Sequence, residues 1–256
     1  MPYKGDVGLY LSGEQVVVPM SGVYITQPTV RQIVQFGETQ FFMGIHLLVK
    51  LEDFLKGIKE GNSELGKRSD FQILLEILMS KQTPDLNQSL DTLFQLITPD
   101  FQVVYKKTCM EFHQKEDGED MVKGVITSFN FEDFQAILSE LFISATEKEG
   151  DFNPANEAAK KIADKLRAAR DKKAQKSAAD KASSVFGIYA SILSVGLQMD
   201  INTFYDYKPF QLYDTFSRYL DKQAYDMYQR AMSIPFADTS KLKENEPKSW
   251  MRDLYV

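Results

Sequence analysis

Residues 61–68, with the sequence Gly-Asn-Ser-Glu-Leu-Gly-Lys-Arg, come close to the pattern of a phosphate-binding P-loop. In that loop backbone amides surround the phosphates, a lysine contacts their oxygens, and a serine or threonine hydroxyl binds magnesium. Arg68 stands where the hydroxyl is required, and the preceding residues have the spacing of a helix end rather than of a strand. Because the motif has meaning only between a strand and a helix, we expect no nucleotide site here.

The histidines and the cysteine offer little for acid–base, nucleophilic or metal chemistry. No Cys, Asp or second His stands at metal-ligand spacing from either His46 or His113. Cys109 lies four positions before His113 in a predicted strand, which separates the two by about 13 Å and prevents a direct hydrogen bond. We therefore expect a protein that is not an enzyme and that uses no metal and no cofactor.

A cluster of carboxylates lies in the middle of the chain, at Glu116, Asp117, Glu119 and Asp120. Such a cluster can bind a cation. It is more typical of a solvated hairpin tip, where charge also protects the strand edges from pairing with other chains.

The segment from Ala155 to Ala182 is rich in Ala, Lys and Arg, which predicts a long exposed helix or a helix that forms only against a partner. Its basic residues are Lys160, Lys161, Lys165, Arg167, Arg170, Lys172, Lys173, Lys176 and Lys181. Nucleic-acid binding is disfavoured because no aromatic residue lies between Phe152 and Phe186, and because the whole chain carries a net charge of −6. A solvated helix, or one that contacts an acidic surface, is the favoured interpretation.

A predicted helix from Pro209 to Met232 carries more aromatic residues than one buried face requires. We assign Phe216 to the core. The candidate partner-binding residues are Phe210, Tyr213, Tyr219, Tyr225, Tyr228 and Trp250. Aromatic side chains suit a contact surface because they bury a large area at a low entropic cost.

The elements that position these residues are mainly helical. Short strands are predicted from β-branched and aromatic runs at 7–11, 15–18 and 23–26. A change of period predicts a β-hairpin with a long loop over 101–129. Helical spacing is found at 28–36, 71–79, 86–97, 185–197, 201–207 and 209–232. It is also found at 39–58, with a break near Glu52, and from Phe131 onward, with Asn130 as the cap of that helix. The segment 185–197 is apolar enough to be buried.

We therefore expect a mainly α protein of the α+β class, with a short N-terminal β region, a mid-chain β-hairpin and a helical C-terminal unit. The predicted regions are an α+β domain at 1–146, a charged linker and basic helix at 147–183, and a helical domain at 184–256. The N-terminus has no signal-peptide pattern, and no apolar run is long enough for a bilayer. These features predict a soluble, cytoplasmic protein.

Segments near both ends of the chain carry a family resemblance. They are Asn153–Ala163, Ser184–Gly187, Ser191–Leu197, Pro209–Asp214 and Ser249–Leu254, with weaker similarity at Gln27–Ile33 and Phe36–Glu38. On these residues the chain resembles tail assembly chaperone-type proteins, which are encoded near the tape measure gene in phages and prophages of Gram-positive bacteria.

The resemblance implies a chaperone in the host bacterial cytoplasm that binds the tape measure protein or another tail protein. It would cover the apolar stripe of that helical client until tube subunits polymerise around it, without ATP and by helix-in-groove contact. Self-association of the chaperone stays open. Two alternatives are a structural tail or connector protein retained in the virion, and a nucleic-acid-binding or regulatory phage protein that uses Lys165, Arg167, Arg170 and Lys173.

Overall fold

The computed structural model describes residues 7–60, 68–80, 84–116, 118–143 and 184–233. Most of these residues are helical, and two small antiparallel sheets complete the α+β fold that the sequence predicts. The helices are α1 (Val7–Ser12), α2 (Val30–Phe36), α3 (Glu38–Val49), α4 (Leu51–Glu60), α5 (Asp70–Ser80), α6 (Pro84–Ile97), α7 (Phe131–Phe142), α8 (Val185–Leu197), α9 (Ile201–Tyr205) and α10 (Pro209–Met232). The strands are β1 (Val16–Val17), β2 (Tyr24–Ile25), β3 (Gln102–Tyr105), β4 (Cys109–Glu116) and β5 (Glu119–Thr127).

The predicted mid-chain hairpin is present as β4 and β5, and β3 extends it to a three-stranded antiparallel sheet. A tight turn, closed by a hydrogen bond from the Lys106 N–H to the Cys109 carbonyl, separates β3 from β4. Phe112 pairs with Gly124 and His113 pairs with Val122, so that Lys123 is the extra residue of a β-bulge.

The N-terminal region contains one wrong prediction. The short strands β1 and β2 occur where expected, but residues 7–11 belong to helix α1 rather than to a strand. Tyr10 of α1 is buried and packs edge-to-face against Phe210, with the ring centroids 5.3 Å apart. Because a run of five apolar residues has no decisive period, this tertiary contact rather than the local pattern selects the helix.

Two predicted helix boundaries are refined by the structure. The long helical stretch breaks at Lys50, close to the predicted position, and gives α3 and α4. Asn130 precedes α7 as expected, but its side chain makes no cap hydrogen bond. Its Oδ1 instead accepts from the Thr127 N–H at 2.7 Å, and its Nδ2 donates to the Val125 carbonyl at 3.1 Å. Asn130 therefore closes the turn after β5 rather than the first turn of α7.

Helix α3 lies at the centre of the hydrophobic core and contacts α6, α7 and α2. Its Phe41 ring packs edge-to-face on Phe142 of α7, with centroids 5.3 Å apart. The adjacent Phe42 ring lies 5.3 Å from Phe186 of α8. Residues of the predicted N-terminal and C-terminal domains thus contribute to one continuous core.

Polar contacts also join the two predicted domains. The Val30 N–H donates to the Tyr207 carbonyl at 2.9 Å, and Arg31 pairs with Asp206 at 2.9 Å. Gln211 donates through Nε2 to the Leu11 carbonyl at 2.6 Å. The predicted boundary therefore separates two parts of the chain that do not have separate cores.

Candidate functional site

The first three backbone N–H groups of helix α8 all have side-chain hydrogen-bond acceptors. The Ser184 hydroxyl accepts a hydrogen bond from the Gly187 N–H at 2.9 Å. The Glu38 carboxylate, which belongs to α3, accepts from the Val185 and Phe186 N–H groups through Oε1 at 2.6 and 3.3 Å. A carboxylate at this position also interacts favourably with the helix dipole. These contacts fix the start of α8 against the core.

The inner face of α8 packs against the core through Phe186, Ala190 and Leu193, all of which are buried. The Phe186 ring lies between Phe42 and Tyr213, with centroid distances of 5.3 and 5.9 Å. The spacing of four and three residues places all three inner residues on one side of the helix. One apolar face therefore suffices to dock α8.

A second apolar face of α8 is exposed to solvent. Its residues, which we call the outer face, are Val185, Ile188, Ile192 and Val195, with exposed fractions of 38%, 46%, 39% and 82%. They follow one another at intervals of three, four and three residues. At about 100° per residue, this stripe lies on the side of α8 opposite to the inner face. The prediction that the segment 185–197 is buried is thus correct for only one of its two sides.

The outer face also lacks the charges that normally occupy the solvent side of a helix. None of the 13 residues of α8, Val-Phe-Gly-Ile-Tyr-Ala-Ser-Ile-Leu-Ser-Val-Gly-Leu, is charged. A helix that is apolar on all sides is normally buried. All four outer-face residues are β-branched, so their side chains have little χ1 freedom to lose on binding. The outer face is therefore an exposed apolar stripe that the docking of α8 on the core does not require.

The aromatic residues that sequence analysis assigned to partner binding do not lie on this face. Phe210 and Tyr213 are buried, with exposed fractions of 5% and 8%, so the expectation that they form a contact surface is corrected. The cause is the docking of the first half of α10 on α7 and α1. Phe216, the predicted core residue, is only half-buried and stacks on Tyr189 with centroids 4.4 Å apart.

The remaining aromatic candidates differ in position. Tyr219 is half-buried where α10 meets Gly196 of α8. A Cβ atom at Gly196 would overlap the hydroxyl end of the Tyr219 side chain, so a larger residue there would force that side chain to move. Tyr225 and Tyr228 are partly exposed on the second half of α10. Trp250 lies outside the described residues.

Sequence analysis missed the outer face of α8, although a signal for it was present. A helix docked on one side needs one apolar stripe, whereas this segment has two with helical spacing. The absence of any charge between Ser184 and Met199 is a second signal. Both signals indicate surplus apolar surface, but only the packing shows which of the two stripes is left uncovered.

On the β4–β5 hairpin the His113 ring forms hydrogen bonds with two acidic side chains. His113 lies between two carboxylates, with Nδ1 3.1 Å from Asp120 and Nε2 3.0 Å from Glu111. The two carboxylates contact opposite nitrogens of the ring, so the three side chains do not converge on one point. Within the described ranges no group of three or more His, Cys, Asp or Glu residues is placed to hold a metal ion.

The acidic cluster lies at the hairpin tip, as predicted. Glu116 at the end of β4 is paired with Lys123 at 2.6 Å. Glu119 and Asp120 begin β5, and Asp117 lies outside the described residues. Cys109 is a partly buried free thiol at the start of β4. His46 is partly buried in α3 with its ring beside Phe42.

The P-loop-like segment follows a helix and not a strand, as the sequence indicated, because residues 51–60 form α4. Of this segment only Arg68 is described, and its guanidinium pairs with Glu76 of α5. The basic residues Lys165, Arg167, Arg170 and Lys173 fall outside the described part of the chain. None of the described helices offers an apolar stretch of the length that a bilayer crossing requires.

Comparison of the chain with protein-family models, with curated proteins and with solved structures gives no significant match.

Proposed function

We propose that this protein is a tail assembly chaperone that binds an apolar helical segment of a tail component, the tape measure protein, through the outer face of α8. The observation that carries the proposal is the exposure of Val185, Ile188, Ile192 and Val195 on a helix without charge. Exposed apolar patches of this kind mark contact sites on folded proteins. Side-by-side packing of an amphipathic client helix is the contact that suits the shape of a helix face.

The family resemblance supplies the biological setting of the proposal. Two of the segments that carry it, Ser184–Gly187 and Ser191–Leu197, fall at the start and along the length of α8. The residues that support the resemblance and those that form the exposed surface therefore belong to the same element. A chaperone of this kind works in the host cytoplasm, where tails are assembled, and catalyses no covalent reaction.

Co-expression with the tape measure protein of the same tail gene cluster tests the proposal. Ile188→Asp and Val195→Asp place a charge on the outer face at exposed positions, so the fold should persist while the client precipitates. Phe54→Asp is the matched control, because Phe54 is an apolar residue of α4 whose exposed fraction of 45% nearly equals the 46% of Ile188. This variant should keep the client soluble.

Two results would contradict the proposal. If the parent protein leaves the tape measure protein insoluble, the chaperone function is wrong. If the parent keeps it soluble and both outer-face variants do so equally well, the client binds elsewhere. Mass spectrometry of purified tails separates a chaperone from a structural protein, since only the latter is present in stoichiometric amounts.

A further inference from the structure

We propose that Lys208, the residue directly before α10, is an acylation site whose amine reacts with acyl phosphates faster than the amine of an ordinary surface lysine. The proposal is independent of the chaperone function. Three features of the position carry it: the packing of the side chain, the lack of an acidic partner and the neighbouring helix N-terminus. Each of them favours the neutral amine, which is the nucleophilic form of a lysine.

The side chain of Lys208 is packed along its length. Its Cγ and Cε atoms lie so close to Gly13 that a Cβ atom added there would be 3.1 and 3.3 Å from them. At the end of the side chain, Nζ donates to the backbone carbonyl of Gln27 at 2.5 Å. Gln27 is completely buried, so the ammonium group has exchanged part of its hydration shell for one neutral oxygen. Burial therefore lowers the pKa of the Lys208 amine.

No carboxylate of the described residues compensates the charge of Lys208. The lysines Lys59, Lys123 and Lys222 each form an ion pair with an acidic side chain, which stabilises their protonated form. Among the described ion pairs and hydrogen bonds, Lys208 has only the neutral Gln27 carbonyl as the acceptor for its ammonium group. The loss of hydration at Lys208 is therefore not offset by an opposite charge.

The start of α10 is an unfavourable place for a positive charge. Lys208 is the N-cap residue of this 24-residue helix. The N-terminal end of a helix carries a partial positive charge, which repels a cation and leaves a neutral amine almost unaffected. Lys208 is only partly buried, so a small reagent can approach its amine from solvent. The position thus combines a destabilised ammonium group with access for an acyl donor.

Acylation also suits the surroundings of the amine. The lone pair of the neutral Nζ attacks the carbonyl carbon of an acyl phosphate and forms a C–N bond. The bond between that carbon and the phosphate oxygen breaks, phosphate leaves with the electron pair, and the surplus proton of the amine passes to water. The resulting amide is uncharged and keeps one N–H group for the Gln27 carbonyl. Acylation therefore removes the desolvated charge and retains the donor of the hydrogen bond.

Incubation of the full-length protein with acetyl phosphate tests the proposal. Peptide mass spectrometry follows the acetylation of each lysine with time, and Lys56, an exposed lysine of α4, is the reference. At neutral pH Lys208 should be acetylated at least about threefold faster than Lys56, because more of its amine is neutral. The rate at Lys208 should also level off at a lower pH. In guanidinium chloride, which unfolds the protein, the two lysines should react at similar rates.

Matched variants and the folded state decide between the outcomes. Lys208→Arg keeps the positive charge and removes the amine, so the initial acetylation rate of the whole protein should fall, whereas Lys56→Arg should change it little. A rate at Lys208 equal to or below that at Lys56 in the folded protein overturns the proposal. The same holds if the two pH profiles coincide, or if Lys208 keeps its advantage in the unfolded chain, since local sequence rather than the fold would then be the cause.

Discussion

The Glu38 carboxylate of α3 accepts a hydrogen bond from the Val185 N–H at 2.6 Å, although the two residues are 147 positions apart in the chain. This contact joins the central helix of the core to the first residue of the outer face. Glu38 also accepts from the Phe186 N–H at 3.3 Å. The start of the proposed binding surface is thus joined to the core by these hydrogen bonds, in addition to the buried inner face of α8.

Replacement of Glu38 should therefore loosen the start of α8. Glu38→Ala removes the acceptor of two backbone N–H groups and should lower the free energy of unfolding by about 1–3 kcal/mol. Glu38→Gln keeps an oxygen acceptor and should cost less, since only the charge at the helix N-terminus is lost. Urea denaturation measures both values. Glu52→Ala, an exposed position of α4, is the control and should stay within about 0.5 kcal/mol of the parent; an equally small effect of Glu38→Ala would refute the coupling.

The close approach of Gly124 in β5 to Gly22 leads to a second prediction. A Cβ atom at Gly124 would lie 2.9 Å from the Gly22 carbonyl carbon and 2.9 Å from the Ser21 oxygen, both of them backbone atoms that cannot rotate away. Next to this contact the Val125 N–H donates to the Ser21 carbonyl at 2.8 Å. Gly124→Ala should force the two segments apart and destabilise the fold by about 1–3 kcal/mol.

A glycine on the same hairpin provides the control for this substitution. Gly118 has a φ of +87° at the tip, where nothing lies within 4 Å of an added Cβ. Gly118→Asn should be almost neutral, because Asn tolerates left-handed backbone. Thermal unfolding compares the two variants. A Gly124→Ala protein as stable as the Gly118→Asn protein would show that the segments can separate without cost.

Tyr105 in β3 should make stability depend on pH in the alkaline range. Burial raises the pKa of the Tyr105 hydroxyl, and the negative charge of the neighbouring Asp91 raises it further. In the unfolded chain this hydroxyl ionises near pH ~10, whereas in the folded protein it stays neutral at that pH. The stability that Tyr105 contributes is therefore complete below about pH 10 and is lost as the pH rises toward the folded-state pKa.

Tyr105→Phe tests this dependence, because phenylalanine keeps the ring and cannot ionise. Between about pH 9 and 11 the free energy of unfolding should fall less steeply for the variant than for the parent. Ultraviolet titration of the folded parent should show a phenol that ionises later than the others and that is missing from the variant. Identical pH slopes in the two proteins would mean that Tyr105 ionises as readily in the fold as in the unfolded chain.

Sequence analysis was most successful where a regular period extended over many residues. The helices at 38–60, 70–80, 84–97 and 131–142 and the β4–β5 hairpin follow from apolar spacing and turn residues alone. The method failed at α1, where five residues are too few to define a period and the contact of Tyr10 with Phe210 determines the conformation. It also failed at Asn130, because the Thr127 N–H, supplied by the preceding turn, replaces the expected partner in α7.

The burial of Phe210 and Tyr213 and the exposure of the outer face of α8 could not be predicted from the sequence, for a related physical reason. Aromatic residues surround much of α10, and α8 is apolar on two sides, so composition alone cannot show which side faces the core. That orientation depends on contacts from distant segments, such as Phe42 with Phe186 and Tyr10 with Phe210. A sequence therefore indicates that a helix has surplus apolar surface, whereas the tertiary packing determines where the surplus lies.

The structure exchanges the two roles that sequence analysis gave to Tyr213, a partner-binding candidate, and Phe216, a core residue. Tyr213 is buried between α8 and α7, with its ring 5.9 Å from Phe186 and its hydroxyl directed at the Phe142 carbonyl at 3.4 Å. Tyr213→Ala should therefore destabilise the whole fold by about 3–5 kcal/mol, as loss of a buried aromatic side chain does. Phe216 is half-buried against Tyr189, so Phe216→Ala should lower the free energy of unfolding by clearly less.

Because all described elements share one core, each variant should unfold in a single transition in urea, monitored by circular dichroism and tyrosine fluorescence. A larger loss for Phe216→Ala than for Tyr213→Ala, or a separate early transition of the C-terminal helices, would show that α8 and α10 form an independent unit in which Phe216 is the central residue.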